Sequence, residues 1–204
     1  MSRKTPSESH HGFADVIGVV LLAAALLLVV AQLSFDRCDI AANCNPPNKN
    51  LHNWIGPFGA YLGWWLFLGF GVAAYVLPLL LAAFGIGYLF DFLGYLRERT
   101  RSSALWAAAL LLALTGLVHI LDLNSLAGYA RERMGASSAG GFLGWVSFQY
   151  GFRLLGTVGA VIVYSTLGLV SLLCLTNFRL GEWLRQLVTR EPSLEELPPE
   201  EAAL

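Results

Sequence analysis

The sequence predicts an all-α integral membrane protein: a four-transmembrane-helix bundle with a short helix in its third loop and an interfacial helix near its C-terminus. Three observations point there. Four charge-free apolar runs, residues 16–35, 58–90, 104–121 and 154–176, make up nearly half of the 204 residues. Only 13% of residues are charged, about half the fraction usual in soluble domains. Mean hydropathy is +0.59. A bilayer core of roughly 30 Å takes about 20 helical residues, so the first, third and fourth runs supply one crossing each.

A polar tail, residues 1–15, precedes the first run and holds Arg3, Lys4, His10 and His11. The first run is long for a signal peptide. Its exit through Ser34, Phe35, Asp36 and Arg37 offers no small-residue cleavage site, so it reads as a retained span over 16–35. Loop one, 36–57, is rich in Asn and Pro (Asn43, Asn45, Pro46, Pro47, Asn48), a composition that disfavours regular structure.

The second run has 33 residues, too many for one perpendicular crossing and too few for two with a turn. Gly56, Pro57, Gly59 and Gly63 weaken helix at its start. Trp54, Tyr61, Trp64 and Trp65 suit the headgroup belt. The crossing is therefore expected over about 62–90, after an interfacial approach. Pro78 lacks a backbone donor and is expected to kink it. Loop two, 91–103, is short and carries Arg97, Arg99 and Arg101 before the third span, 104–121. Loop three, 122–153, reads as a short helix near 125–134 and a Gly/Ser hinge over 137–141. The fourth span, 154–176, completes a membrane domain of residues 16–176. Beyond it, Phe178, Leu180, Trp183, Leu184 and Leu187 recur at helical spacing within 177–190, as an interfacial helix requires. Residues 191–204, rich in Pro and Glu, read as the start of an acidic linker. No internal repeat or heptad array is evident.

Four crossings place both termini on one side. With the termini inside, eight Lys and Arg lie inside against five outside, and loop two sets three Arg beside a span end. The expected orientation therefore has both termini and loop two in the cytoplasm. Small residues at Gly59/Gly63 and Gly56/Ala60, and at Gly156, Gly159, Ala160 and Gly168, suit close helix packing, either within the bundle or between copies.

Little remains for chemistry. Cys38 and Cys44 leave three readings open: a disulfide, a metal site completed by Asp39 and His52, or two free thiols. His119 is the one histidine within a span, and Asp122 follows on the same helix face. That pair carries the alternative function, a small transporter or proton- or ion-conducting protein. No phosphate-binding loop, HExxH or GxSxG pattern occurs. No catalytic, cofactor-binding or metal residue is predicted, and the net charge of −1 with no basic stripe predicts no direct nucleic-acid contact.

Three stretches carry a family resemblance: LSFDRCD at 33–39, NWIGPFGAYLGWWLFLGFGVAAYVLP at 53–78 and SAGGFLGWVSFQYGFRLLGTVGAVIV at 138–163. They are similar to the apolar helix leading into SFDPSDPS, to N-x-x-G-x-x-G-A followed by LF-x-x-FG-x-x-AY-x-x-P, and to the GG-x-x-G segment of the amino-terminal membrane domain of FtsK/SpoIIIE DNA translocases. The chain departs from that pattern at Arg37 and Ile40, where the family has prolines, and after Ala60, where an Ala-Asp is missing. The resemblance implies a non-enzymatic membrane anchor and assembly module at the division septum of the bacterial inner membrane. Other division proteins and further copies of the chain would be its partners, and the ATPase motor would lie beyond the linker. It implies structural roles for a Gly56–Gly59–Gly63 turn, a Gly71–Tyr75–Pro78 kink and a Gly140–Gly141–Gly144 hinge.

Overall fold

A computed structural model describes residues 9–90, 100–121, 128–136 and 138–176. The start of the N-terminal tail, Arg97 and Arg99 of loop two, Asp122, the interfacial helix over 177–190 and the linker over 191–204 lie outside the described residues.

The chain runs through α1 (Ser9–Leu33), a 3-10 turn (Arg37–Asp39), α2 (Pro57–Phe70), a second 3-10 turn (Gly71–Tyr75) and α3 (Val76–Leu89). It continues through α4 (Thr100–Leu121), a π-helical turn (Ala130–Met134), α5 (Gly141–Val146), a π-helical stretch (Ser147–Phe152), a 3-10 turn (Arg153–Leu155) and α6 (Gly156–Leu175). No strand occurs among the described residues. Four helical stretches are long and apolar enough to cross a membrane: Phe13–Leu33, Pro57–Leu89, Thr100–Leu121 and Gly141–Leu175. The protein is an all-α, four-span membrane protein.

The bundle is two antiparallel hairpins. α1 packs chiefly on α3, and α4 on α6, while α3 and α4 touch little. Lipid tails supply no hydrophobic drive between helices, so close packing at small residues holds each pair together. Gly18 meets Gly85 and Leu89, and Gly85 in turn meets Leu22, which draws the backbones of α1 and α3 together. In the other hairpin the ring of Tyr164, fully buried, fills the place a side chain at Gly116 would take. One turn on, Gly168 faces Ala113.

α2 does not continue the line of α3. Nε2 of Gln32, at the end of α1, donates to the carbonyl of Ala74 at 3.0 Å. Its neighbour Ala31 accepts from Nδ2 of Asn53 at 2.9 Å and lies against Gly63. Were α2 coaxial with α3, Gly63 would stand roughly 16 Å beyond Ala74 at 1.5 Å per residue. One helix end could not reach both. α2 therefore folds over the end of α1. Within the span-capable stretch Pro57–Leu89, which takes in nearly all of the expected 62–90, residues 62–70 belong to α2, 71–75 to the 3-10 turn and 76–89 to α3. The glycines at 56, 59 and 63 do not prevent helix there, because Pro57 opens α2 at a first-turn position, where a missing donor costs nothing.

The break also falls earlier than the kink expected at Pro78. The α-helix ends at Phe70, and Pro78 lies in the first turn of α3. The fourth crossing has the same plan. A helical approach starts at Gly141, upstream of the apolar run over 154–176. It gives way at a 3-10 turn and Gly156 (φ 68°) to α6. Each half is thus a span, a loop, an approach helix, a break at glycine and a second span. The two approach helices meet at one end of the bundle, the capped end. The other is the open end.

Candidate functional site

The capped end is a platform built from loop one, α2, the turn at Ala130–Met134 and α5. Loop one is organised around Asp39, whose side chain is 0% exposed. Its carboxylate accepts from Nδ2 of Asn48 at 2.9 Å, from the His52 N–H at 3.1 Å and from the Asn53 N–H at 2.9 Å. Burial pushes the Asp39 carboxyl pKa up, but the donors from Asn48, His52 and Asn53 outweigh it and hold the pKa below its ordinary value. Asp36 accepts from the Cys38 N–H at 2.8 Å, starting the turn at Arg37–Asp39. Cys38 and Cys44 form a disulfide with Cα atoms 5.0 Å apart, and the Cys38 carbonyl accepts from the Asn48 N–H at 2.9 Å. His52 stands 3.5 Å from Asp39 and 3.6 Å from Asp36, exposed to solvent. Among the described residues no cluster of three potential metal ligands forms.

Asn53 ties loop one to both α1 and α2. Besides its bond to Ala31, its Oδ1 accepts from the Ile55 N–H at 3.1 Å, and its carbonyl accepts from the Gly56 N–H at 2.9 Å. These turns aim the chain into α2. Gly59, Ala60, Gly63 and Phe67 form the buried face of that helix. Phe67 meets Phe35 (centroids 5.1 Å) and Tyr75 (5.3 Å), and the Tyr75 hydroxyl lies 3.4 Å from that of Tyr129.

The two halves join through backbone. The Val72 N–H donates to the Ala139 carbonyl at 2.9 Å. Gly71 (φ 58°) and Gly141 (φ 65°) both adopt left-handed conformations that favour glycine. A Cβ at Gly71 would strike Ala139 O and one at Gly141 would strike Gly71 N, so neither position has room for a side chain. Gly140 and Gly144 press in the same way on the Thr115 carbonyl and on His119 of α4. The third loop is thus wedged between the break in the first half and the end of α4.

Pro78 has a further consequence. Lacking an N–H, it leaves the Ala74 carbonyl without its helical i+4 donor. The Gln32 amide fills that role, and Gln32 is buried. The Val76 N–H also reaches this carbonyl, and the Gln32 amide gives it a second donor, so a polar residue in one apolar span answers a proline in another.

Outward, α2 presents Phe58, Tyr61 and Trp65 on one exposed face, continued by Trp54. The other approach presents Phe142, Trp145 and Tyr150. Aromatic rings of this kind belong at the headgroup level.

Of the residues singled out from sequence, Gly59, Gly63, Gly71, Tyr75, Gly140, Gly141 and Gly144 lie inside this platform. Gly56 caps α2, and Pro78 stands at its membrane edge. Phe70–Pro78 and Gly140–Gly144, two separate stretches of the family resemblance, meet in space. His119 packs under Gly140 and Gly144 with its ring 5.8 Å from Phe148. Sequence reasoning gave no role to Gln32 and took Asn53 and Ala139 only as members of the family stretches. Polarity inside or beside an apolar run was the available signal for the first two, and Ala139 carried none of its own.

The chain matches the family model for the 4TM region of DNA translocase FtsK/SpoIIIE over residues 10–188. No curated protein and no solved structure matches it significantly. The match takes in all four spans and both approach helices, and that region of the family is a membrane region rather than the ATPase motor. The chain belongs to the FtsK/SpoIIIE 4TM family.

Proposed function

We propose that the chain is the membrane anchor and assembly module of a cell-division DNA translocase. It holds the translocase at the septum of the bacterial inner membrane and so links chromosome segregation to division. The observation that carries this reading is the family match over residues 10–188, which coincides with four spans capped by a built platform. Both termini face the cytoplasm, on the open side, and the platform faces the periplasm. This orientation follows the Lys and Arg bias, and it sets the Cys38–Cys44 disulfide in an oxidising compartment. Other division proteins dock on the platform, and copies of the module associate with one another. ATP hydrolysis and DNA contact fall to the motor, outside this module.

A fluorescent fusion of the chain expressed in dividing cells tests the reading. A band at the constriction is expected. Even distribution around the envelope overturns it.

A further inference from the structure

Between the two hairpins, towards the open end, lies an apolar cavity of about 480 Å³. Leu80 and Phe84 of α3 form one wall, and Ala104, Ala107, Ala108 and Leu111 of α4 form another, with α1 closing the side. The groove exists because α4 presents alanines where α3 presents leucines. It is polar only at its end. There the Tyr88 hydroxyl lies 3.0 Å from Oγ1 of Thr100, and both residues line the cavity. Arg101, exposed, follows Thr100 at the edge of the same α4 face.

We infer that this groove binds one acyl chain of an anionic phospholipid, with the headgroup phosphate at Tyr88, Thr100 and Arg101. Size suits a single chain: the groove runs roughly 16 Å from Leu77 to Tyr88 at 1.5 Å per residue, and its volume falls in the range of single-ligand pockets, roughly 300–1,000 Å³. Polarity decides the orientation of the lipid. The walls offer no hydrogen-bonding partner along their length, and the hydroxyl pair sits at the end where headgroups lie. Charge decides its class: Arg101, exposed and one residue after Thr100, brings a positive charge to this end of the groove, which suits a phosphate-bearing anionic headgroup over a zwitterionic one.

The test is native mass spectrometry of the full chain, released from vesicles of equal phosphatidylglycerol and phosphatidylethanolamine. Wild type is expected to retain one phospholipid per chain, mostly phosphatidylglycerol. Ala104 and Ala108 are exposed, so larger side chains there enter the groove without striking protein. Ala104→Phe with Ala108→Phe is expected to cut retention at least tenfold, at unchanged helical content by circular dichroism. Arg101→Gln is expected to keep the lipid but lose the preference for phosphatidylglycerol. Should the double variant misfold, Ala108→Leu alone is read in the same way, with a severalfold loss expected. The inference is overturned if wild type retains no lipid, or if the filled variants retain as much. It is equally overturned if wild type is a lipid-free dimer that filling the groove makes monomeric, since a second copy then occupies it.

Discussion

Small residues act in opposite ways at the two ends of the bundle. At the capped end Gly71, Gly140, Gly141 and Gly144 bring backbone against backbone, with no room for a single carbon. At the open end Ala104, Ala107 and Ala108 stand opposite leucines and a phenylalanine, and a groove is left. In lipid, helices gain from contact only what packing and hydrogen bonds supply. A small residue thus joins two elements where the facing surface fills the space it leaves, as backbone does at Gly71 and the Tyr164 ring does at Gly116, and parts them where nothing fills it, as at Ala104 and Ala108. The hairpins are clamped at one end and parted at the other.

The comparison is broken most directly at Gly141. Gly141→Val adds a β-branched side chain to a left-handed backbone and drives it into Gly71. A loss of about 3–5 kcal/mol is expected, read as a lower unfolding midpoint in detergent. An effect below about 1 kcal/mol would mean that the clamp is not shared backbone.

Next comes the link between Gln32 and Pro78. Gln32→Leu leaves the Ala74 carbonyl with only the short-range Val76 N–H and should cost about 1–3 kcal/mol. Pro78→Ala restores a backbone N–H that can serve that carbonyl, so in its background Gln32→Leu should cost clearly less. A double-mutant cycle gives the coupling, and strict additivity of the two changes would refute the explanation.

A smaller effect is expected at acid pH. The Asp39 pKa is lowered in the folded platform, so its contribution is present above the ordinary carboxylate range. It is lost as pH falls through the folded value, below the ordinary carboxylate range. Loop one should loosen there, seen as faster proteolysis between α1 and α2, while the spans persist. Asp39→Asn should already be loose at neutral pH and show no further change on acidification.

The smallest effect is expected at Ala108, in the groove. Ala108→Leu should move the midpoint by no more than about 0.5 kcal/mol. A large loss there would show that the open end is as tightly packed as the capped one.

Much of this was legible in the sequence. Charge-free runs of the right length give the spans, because the bilayer tolerates little else. The irregularity of loop one follows from its Asn and Pro content. The position of the break did not follow. Pro78 suggests a kink only if the helix is assumed to continue through it. What ends the helix at Phe70 is the third loop, arriving from some seventy residues away to meet Gly71. The helical start at Gly141 was hidden for a related reason. Its glycines and serines look like a hinge in isolation, and they turn helical against Thr115 and His119. The repeated plan of the two halves leaves no trace as a sequence repeat, because each approach helix is fitted to different neighbours: α2 to Ala31 and Phe35 at the end of the first span, α5 to Thr115 and His119 of α4. Asn53 and Gln32 look like ordinary polar residues near span ends until their acceptors are known.

The bond from Gln32 to Ala74 also bears on biogenesis. α3 inserted alone would bring a carbonyl lacking its helical donor into hydrocarbon. α1 leaves the ribosome first and carries that donor at its far end, so the third helix enters the bilayer with its missing partner already in place. Order of synthesis and order of assembly then coincide, and a chain deprived of α1 would bring α3 into the bilayer without the Gln32 donor.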